Sequence, residues 1–341
     1  MYLYLIRRLL FAIPTLFGIT IMSYLLVLAA PGDPMSMLAF DPRATPEGVE
    51  QQRRLLGLDQ PPMTQYLYWL IGNDFTRIDV DADGTPDVQG SRYGLLRGDL
   101  GQSITYKRPV LDLIVERIPA TLRLTFPAFL IIYSLGIVIG LLSAVNHNGL
   151  FDQVARVISV LGTVVPSFWL ALILIIIFSV QLGWLPLTGM RDVTTTGDVS
   201  LLEMLPYMIL PITVLSITGV ASLIRYVRAS ALEVIGQDYV RTAQAKGLHN
   251  RSVWGRHVVR NALLPVATFI GPSLSGMLSG AVIIETIFSW PGMGRLSIQA
   301  ALARDYPLVM GFVLVGAVLY ILGLIISDIL YGLLDPRIRL T

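Results

Sequence analysis

Asp238-Tyr-Val-Arg-Thr-Ala-Gln-Ala-Lys-Gly-Leu248 runs on into His249-Asn-Arg-Ser-Val-Trp-Gly-Arg-His-Val-Val-Arg-Asn-Ala-Leu-Leu-Pro265. This basic, partly small-residue stretch lies between two long apolar runs, Leu205 to Tyr226 and Ala262 to Phe288. The pattern predicts a short helix over Asp238 to Lys246 that Gly247 ends, because glycine accepts the left-handed conformation just past a helix. Val240, Ala243 and Gly247 then share a face. Small side chains there let another protein's surface approach the backbone, with Tyr239 beside them, Asp238 in the first turn, and Arg241 and Lys246 as charges at the rim. Asn250 or Ser252 is placed to cap a second helix that leads through Trp254 and His257 into the next apolar run. The placement reads as a docking loop. A solvated basic loop that only anchors topology has a similar composition.

The rest of the chain explains why such a loop matters. Of 341 residues, 54% are hydrophobic and 14% charged, against a charged fraction of about a quarter in soluble domains. The chain is therefore expected to be an all-α integral membrane protein. A net charge of +2 gives no footprint for nucleic acid, and the absence of cysteine removes disulfides and thiolate chemistry.

Arg7 and Arg8 precede an apolar run from Leu9 to Ala30, long enough for the roughly 20 helical residues that a bilayer core needs. It exceeds the apolar length of about 7–15 residues usual in a cleaved leader, so it reads as a membrane helix. Further runs at Ala120 to Val145, Val154 to Leu182, Leu205 to Tyr226, Ala262 to Phe288 and Leu308 to Leu334 make six expected spans. Pro127, Pro166, Pro211 and Pro272 lie inside them and are expected to bend helices around a central path. The loop between spans four and five carries Arg228, Arg241, Lys246, Arg251, Arg256 and Arg260. The third-to-fourth loop has Arg191, and the fifth-to-sixth has Arg295 and Arg304. By the basic-residue rule the rich loop and both ends, marked by Arg7, Arg8, Arg337 and Arg339, face the cytoplasm. The polar region after Ala30-Pro-Gly-Asp-Pro34 then lies outside.

Three parts are thus expected: 1–30, the cytoplasmic start and first span; 31–119, an extracytoplasmic region with an acidic insert at 74–94; and 120–341, a five-helix core with the docking loop at 228–261. In the external region Thr45-Pro46-Glu47 reads as a cap with proline at the first helical position, Gly57 as that helix's end, and Met63 to Ile71 as a second short helix. Asp79, Asp81, Asp83 and Asp87 alternate around Gly84 as in a calcium loop, although position twelve would be Gly90 rather than a glutamate. They are the candidate metal ligands. A plain acidic turn is the other reading.

No catalytic constellation stands out. His147, His249 and His257 are the only histidines, and no phosphate-cradling Gly-x-x-x-x-Gly-Lys motif occurs, so an enzyme is not expected. Glu285, deep in the fifth run, is the ionisable residue whose burial would demand a functional explanation. With Pro166 and Phe168 it forms the candidate path or gate.

The Tyr239-Val-Arg-Thr-Ala-Gln-Ala-Lys-Gly247 core followed by Arg260-Asn-Ala-Leu-Leu-Pro265 resembles the coupling loop of ATP-binding cassette importer permeases of the dipeptide and oligopeptide type. Arg241 stands where the broader motif has an acidic residue, and Gly247 lies further from Pro265 than in sugar permeases; both features fit the peptide branch. Pro31-Gly-Asp-Pro34, Gly57-Leu-Asp-Gln-Pro61, Arg97-Gly-Asp-Leu-Gly101, Val165-Pro-Ser-Phe-Trp169, Glu285-Thr-Ile-Phe-Ser-Trp-Pro-Gly-Met-Gly-Arg295 and Arg304-Asp-Tyr-Pro307 are similar to family segments in the same order. The resemblance implies a type I importer permease fold, and a heterodimer with a second permease. It implies two cytoplasmic ATPase subunits carrying ATP and magnesium, and an external binding protein. The coupling contact would fall on Asp238, Tyr239, Arg241, Ala243, Lys246, Gly247 and Pro265. The rival class is a cation-coupled carrier working alone.

Overall fold

A computed structural model describes residues 2–30, 32–35, 45–190 and 200–334. Pro31, Arg191, Arg337 and Arg339, used above for motif and orientation, lie outside the described residues. The elements in order are α1 (Tyr2–Ala29), α2 (Pro46–Leu55), α3 (Pro62–Ile71), β1 (Arg77–Ile78), β2 (Val88–Gln89), α4 (Val110–Val145), α5 (Leu150–Val164) and α6 (Ser167–Leu174). They continue with α7 (Leu201–Ile235), α8 (Asp238–Ala245), α9 (Asn250–Ser252), α10 (Arg260–Ser279), α11 (Val282–Ile287), α12 (Met293–Leu302) and α13 (Tyr306–Leu334). Wide π turns at Ile175–Gln181 and Val253–Val259 extend α6 and join α9 to α10.

Among the described residues five helices are long and apolar enough to cross a membrane, and α5 with α6 makes a sixth if the bent pair is one span. The apolar runs therefore became helices, and in the third the bend expected at Pro166 is a full break. The span turns by 98° at Val165–Pro166. The residue before a proline is pushed out of the helical region, and Val165 is extended at φ −72°, ψ 120°. Pro127, Pro211 and Pro272 sit inside α4, α7 and α10 without ending them. The fifth run is also divided. Gly280, at φ +89°, separates α10 from α11, and a Cβ there would lie 2.5 Å from the Gly294 nitrogen, so no other residue fits.

The chain divides into two compact units. One comprises Leu9–Ile118 and Leu296–Val318. There Thr45 caps α2 by accepting from the Gly48 N–H at 3.2 Å, Pro46 takes the first position, and Gly57 follows the helix at φ +68°. The Tyr66 and Thr20 hydroxyls lie 3.0 Å apart, and Tyr66, Trp69 and Met310 form the unit's buried cluster. β1 and β2 pair antiparallel, Arg77 with Gln89 and Ile78 with Val88. Asp305, fully buried, accepts from the Ile104 and Thr105 N–H groups at 3.1 and 3.0 Å, from the Ser103 hydroxyl, and from the Leu308 N–H in the first turn of α13.

The other unit comprises Met1–Arg8, Pro119–Arg295 and Leu319–Thr341. Glycines let its helices approach closely: Cβ atoms at Gly136 and Gly140 of α4 would meet Leu223 and Val227 of α7 at 2.8 Å. Membrane helices gain their packing from such small-residue contacts, because lipid supplies no hydrophobic drive between them.

Candidate functional site

The loop that decided the fold folds back on its own chain. α8 ends as expected: Gly247 adopts φ +77° and its N–H donates to the Gln244 carbonyl at 2.9 Å. The cap of the second short helix differs from the expectation. Neither Asn250 nor Ser252 serves; His249 does, its Nδ1 accepting from the Arg251 N–H at 3.2 Å.

The face of α8 also needs correcting. Val240 and Ala243 are 1% and 5% exposed. They pack with Ala144, Ala231, Val253, Val258 and Ala262, so the small-residue face looks inward. The physical reason is the two-residue apolar stripe at i and i+3, which finds the ends of α4 and α7 before it can find a partner. What faces outward is Asp238, Tyr239, Arg241, Gln244, Lys246, Gly247 and Leu248. Tyr239 is 44% exposed, and its hydroxyl accepts from Asn261 Nδ2 at 3.3 Å, tying α8 to the start of α10. Pro265, half-buried, sits one turn into α10.

Glu285 has no exposed surface. Its Oε1 accepts from the Thr121 hydroxyl at 2.9 Å and the Ala281 N–H at 3.3 Å, and its Oε2 from the Arg295 N–H at 3.0 Å. Thr121 in turn accepts from the Met293 N–H at 2.8 Å. A Cβ at Gly292 would stand 2.4 Å from the carboxylate, which is why the Trp-Pro-Gly-Met-Gly turn carries glycine there. Trp290 is buried and donates from Nε1 to the Ala120 carbonyl at 2.7 Å. Glu285 is the hub that folds this turn onto α4, its carboxylate satisfied by two N–H groups and a hydroxyl.

A cavity of about 550 Å³ is walled by α4, α7 and α10. Each helix contributes one stripe at helical spacing: Thr125, Phe129 and Tyr133; Gly219, Ser222 and Tyr226; Phe269, Ser273 and Met277. The Tyr133 and Ser273 hydroxyls lie 2.9 Å apart. None of its described lining residues carries a charge. Pro166, Phe168 and Glu285 are not among them; Pro166 makes the α5–α6 break and Phe168 is exposed. The three expected path residues are not brought together.

Residues 136–340 match the family model of the binding-protein-dependent transport system inner membrane component, and residues 1–125 match the N-terminal model of such membrane components. The chain belongs to this permease family. It is 40% identical over 337 residues to the oligopeptide transport system permease protein AppB of Bacillus subtilis, covering 98% of this chain and 99% of that protein. It is 38% identical over 349 residues to the di/tripeptide transport system permease protein DppB of Pseudomonas aeruginosa, covering 98% and 97%. With the dipeptide transport system permease protein DppB of Escherichia coli K12 it shares 37% over 355 residues, covering 98% of both.

The permease's acidic turn is smaller than expected. One carboxylate oxygen from each of Asp79, Asp81 and Asp83 lies within 4.8 Å of the others; Asp87 stands apart from this group. The turn is held by its own hydrogen bonds, Gly84 N–H to Asp79 Oδ2 at 2.9 Å and Thr85 N–H to Asp83 Oδ1 at 2.7 Å. The Thr85 hydroxyl and N–H hold the Asp83 carboxyl below the usual carboxylate range. Nearby, Arg97 forks onto Asp74 and lowers that carboxyl too.

The cavity wall is what the sequence reading missed. Its signal was present as three polar-aromatic stripes, but nothing in a single run says that stripes on separate helices converge.

Proposed function

We propose that this permease carries peptides across the cell membrane as one half of an ATP-driven importer. Its companions are a related second permease, two cytoplasmic ATPase subunits holding ATP and magnesium, and an external binding protein that delivers cargo. Both termini and α8 face the cytoplasm. The outward residues of α8 meet an ATPase subunit, while Val240 and Ala243 hold the helix to the ends of α4 and α7. Closure of the ATPases then moves those ends and changes access to the α4–α7–α10 cavity, and cargo crosses without covalent chemistry.

The observation that carries this reading is α8: a short exposed helix set between two membrane helices and seated on its own core by two side chains. The peptide cargo is supported by relatives named for peptide transport that match end to end. The test is uptake of labelled di- to pentapeptides into vesicles holding the assembled transporter. ATP-dependent accumulation is expected. Uptake by this chain alone, driven by an ion gradient, would establish the carrier reading instead.

At the acidic turn a weak calcium site is proposed on Asp79, Asp81 and Asp83, favoured by the convergence of their carboxylates. Millimolar calcium should raise the melting temperature of the wild type and leave Asp81→Asn unmoved.

A further inference from the structure

Asp152, in the first turn of α5, is fully buried. Its carboxylate is reached from three places in the chain. Arg228 of α7 donates from Nε to Oδ1 at 2.5 Å and from Nη2 to Oδ2 at 2.8 Å. The Ser143 hydroxyl, in the last turn of α4, donates to Oδ1 at 2.5 Å, and the N–H of Asn148 to Oδ2 at 2.9 Å. Asn148 holds the left-handed conformation, φ +62°, to bring its N–H there. Arg156 adds a longer contact at 3.8 Å from its own exposed position.

A planar guanidinium forked onto a carboxylate fixes angle as well as distance, and the remaining lone pairs are filled by the hydroxyl and the backbone. Three helix ends therefore meet in one rigid polar knot. An apolar contact would have joined them at smaller desolvation cost, so the charge is placed for geometry rather than for stability alone.

The knot adjoins α8 directly. Ala144 follows Ser143, and Ala231 lies one helical turn after Arg228; both belong to the cluster that receives Val240 and Ala243. α5 runs from Asp152 to the 98° break at Val165–Pro166.

We propose that Asp152 is a positioning residue for transport: with Arg228 it makes the ends of α4, α5 and α7 move as one body with α8, delivering displacement of α8 to the broken α5–α6 span. The inference rests on the importer function proposed above. It separates two jobs that a permease could confuse, gripping a motor and passing its stroke on.

The experiment uses the complete transporter with its binding protein in vesicles and reads peptides imported per ATP hydrolysed, alongside the amount of assembled complex. Asp152→Asn keeps shape and loses charge; Arg228→Lys keeps charge and loses the fork. At matched assembly, Asp152→Asn should retain ATPase activity within about twofold while imported peptide per ATP falls roughly tenfold. Arg228→Lys should fall between it and the wild type. If hydrolysis and uptake decline in proportion in both variants, the knot is a structural staple and the inference is wrong. An unchanged ratio in Arg228→Lys overturns it as well, even if Asp152→Asn fails to assemble. Absence of ATP-driven uptake in the wild type would instead sink the importer reading itself.

Discussion

At Glu285 the question is whether a carboxylate serves passage or packing, and its three donors favour packing. Glu285→Ala strands two N–H groups and a hydroxyl in a dry site, at a cost of about 3 kcal/mol. Purified Glu285→Ala protein should melt several degrees lower in detergent, with Glu285→Gln closer to the wild type. Unchanged melting with lost uptake would restore the gate role. At Asp74 the prediction concerns pH. Arg97 lowers the folded carboxyl's pKa, so the pair's stabilisation is present above the ordinary carboxylate range. It is lost as pH falls through the lowered value. Asp74 and Arg97 are both partly exposed, so the effect is modest and salt-sensitive. Protection factors of the amides around residues 71–77, corrected for the slower intrinsic exchange at low pH, should fall on acidification in the wild type, and Asp74→Asn should respond less to the same change.

Among elements, α8 divides its labour between faces, and two substitutions separate them. Ala243→Leu overpacks the seat and should cost about 1–3 kcal/mol, visible as lower yield and melting temperature. Gly247→Arg meets no neighbour but strains a φ of +77°, at about 1–2 kcal/mol. It should leave the protein inserted while abolishing ATP-driven uptake; normal uptake at normal expression would count against docking at this turn. The element scale is also where the sequence was most readable. Apolar length marked the long helices, and local chemistry marked Thr45, Pro46, Gly57 and Gly247, because caps and left-handed turns depend on neighbours along the chain. What it concealed depends on neighbours in space. Pro166 looked like Pro127, yet only the former breaks its span. Val240 and Ala243 faced an unknown partner until the ends of α4 and α7 supplied one. Asp152 and Arg228 belong to different helices, with no pattern linking them.

For the molecule as a whole, the first matter is which side of the membrane each segment meets. The chain has no cysteine, so single cysteines can be introduced without removing others. A cysteine at Gln244 should be labelled by an impermeant thiol reagent only in inside-out vesicles, and one at Asp81 only in intact cells with a permeable outer barrier. The reverse pattern would leave no ATPase able to touch α8. The second matter follows from the uncharged wall of the α4–α7–α10 cavity. On the proposed route a zwitterion meets hydroxyls and ring faces but, among the described lining residues, no counter-ion, and stripping its two ends of water there would cost several kcal/mol each. On the proposed route this wall therefore favours a cargo that stays hydrated where it faces α4, α7 and α10. A wall that leaves its travellers dressed in water has little grip on their side chains, so on that route any choosiness falls to surfaces other than this one.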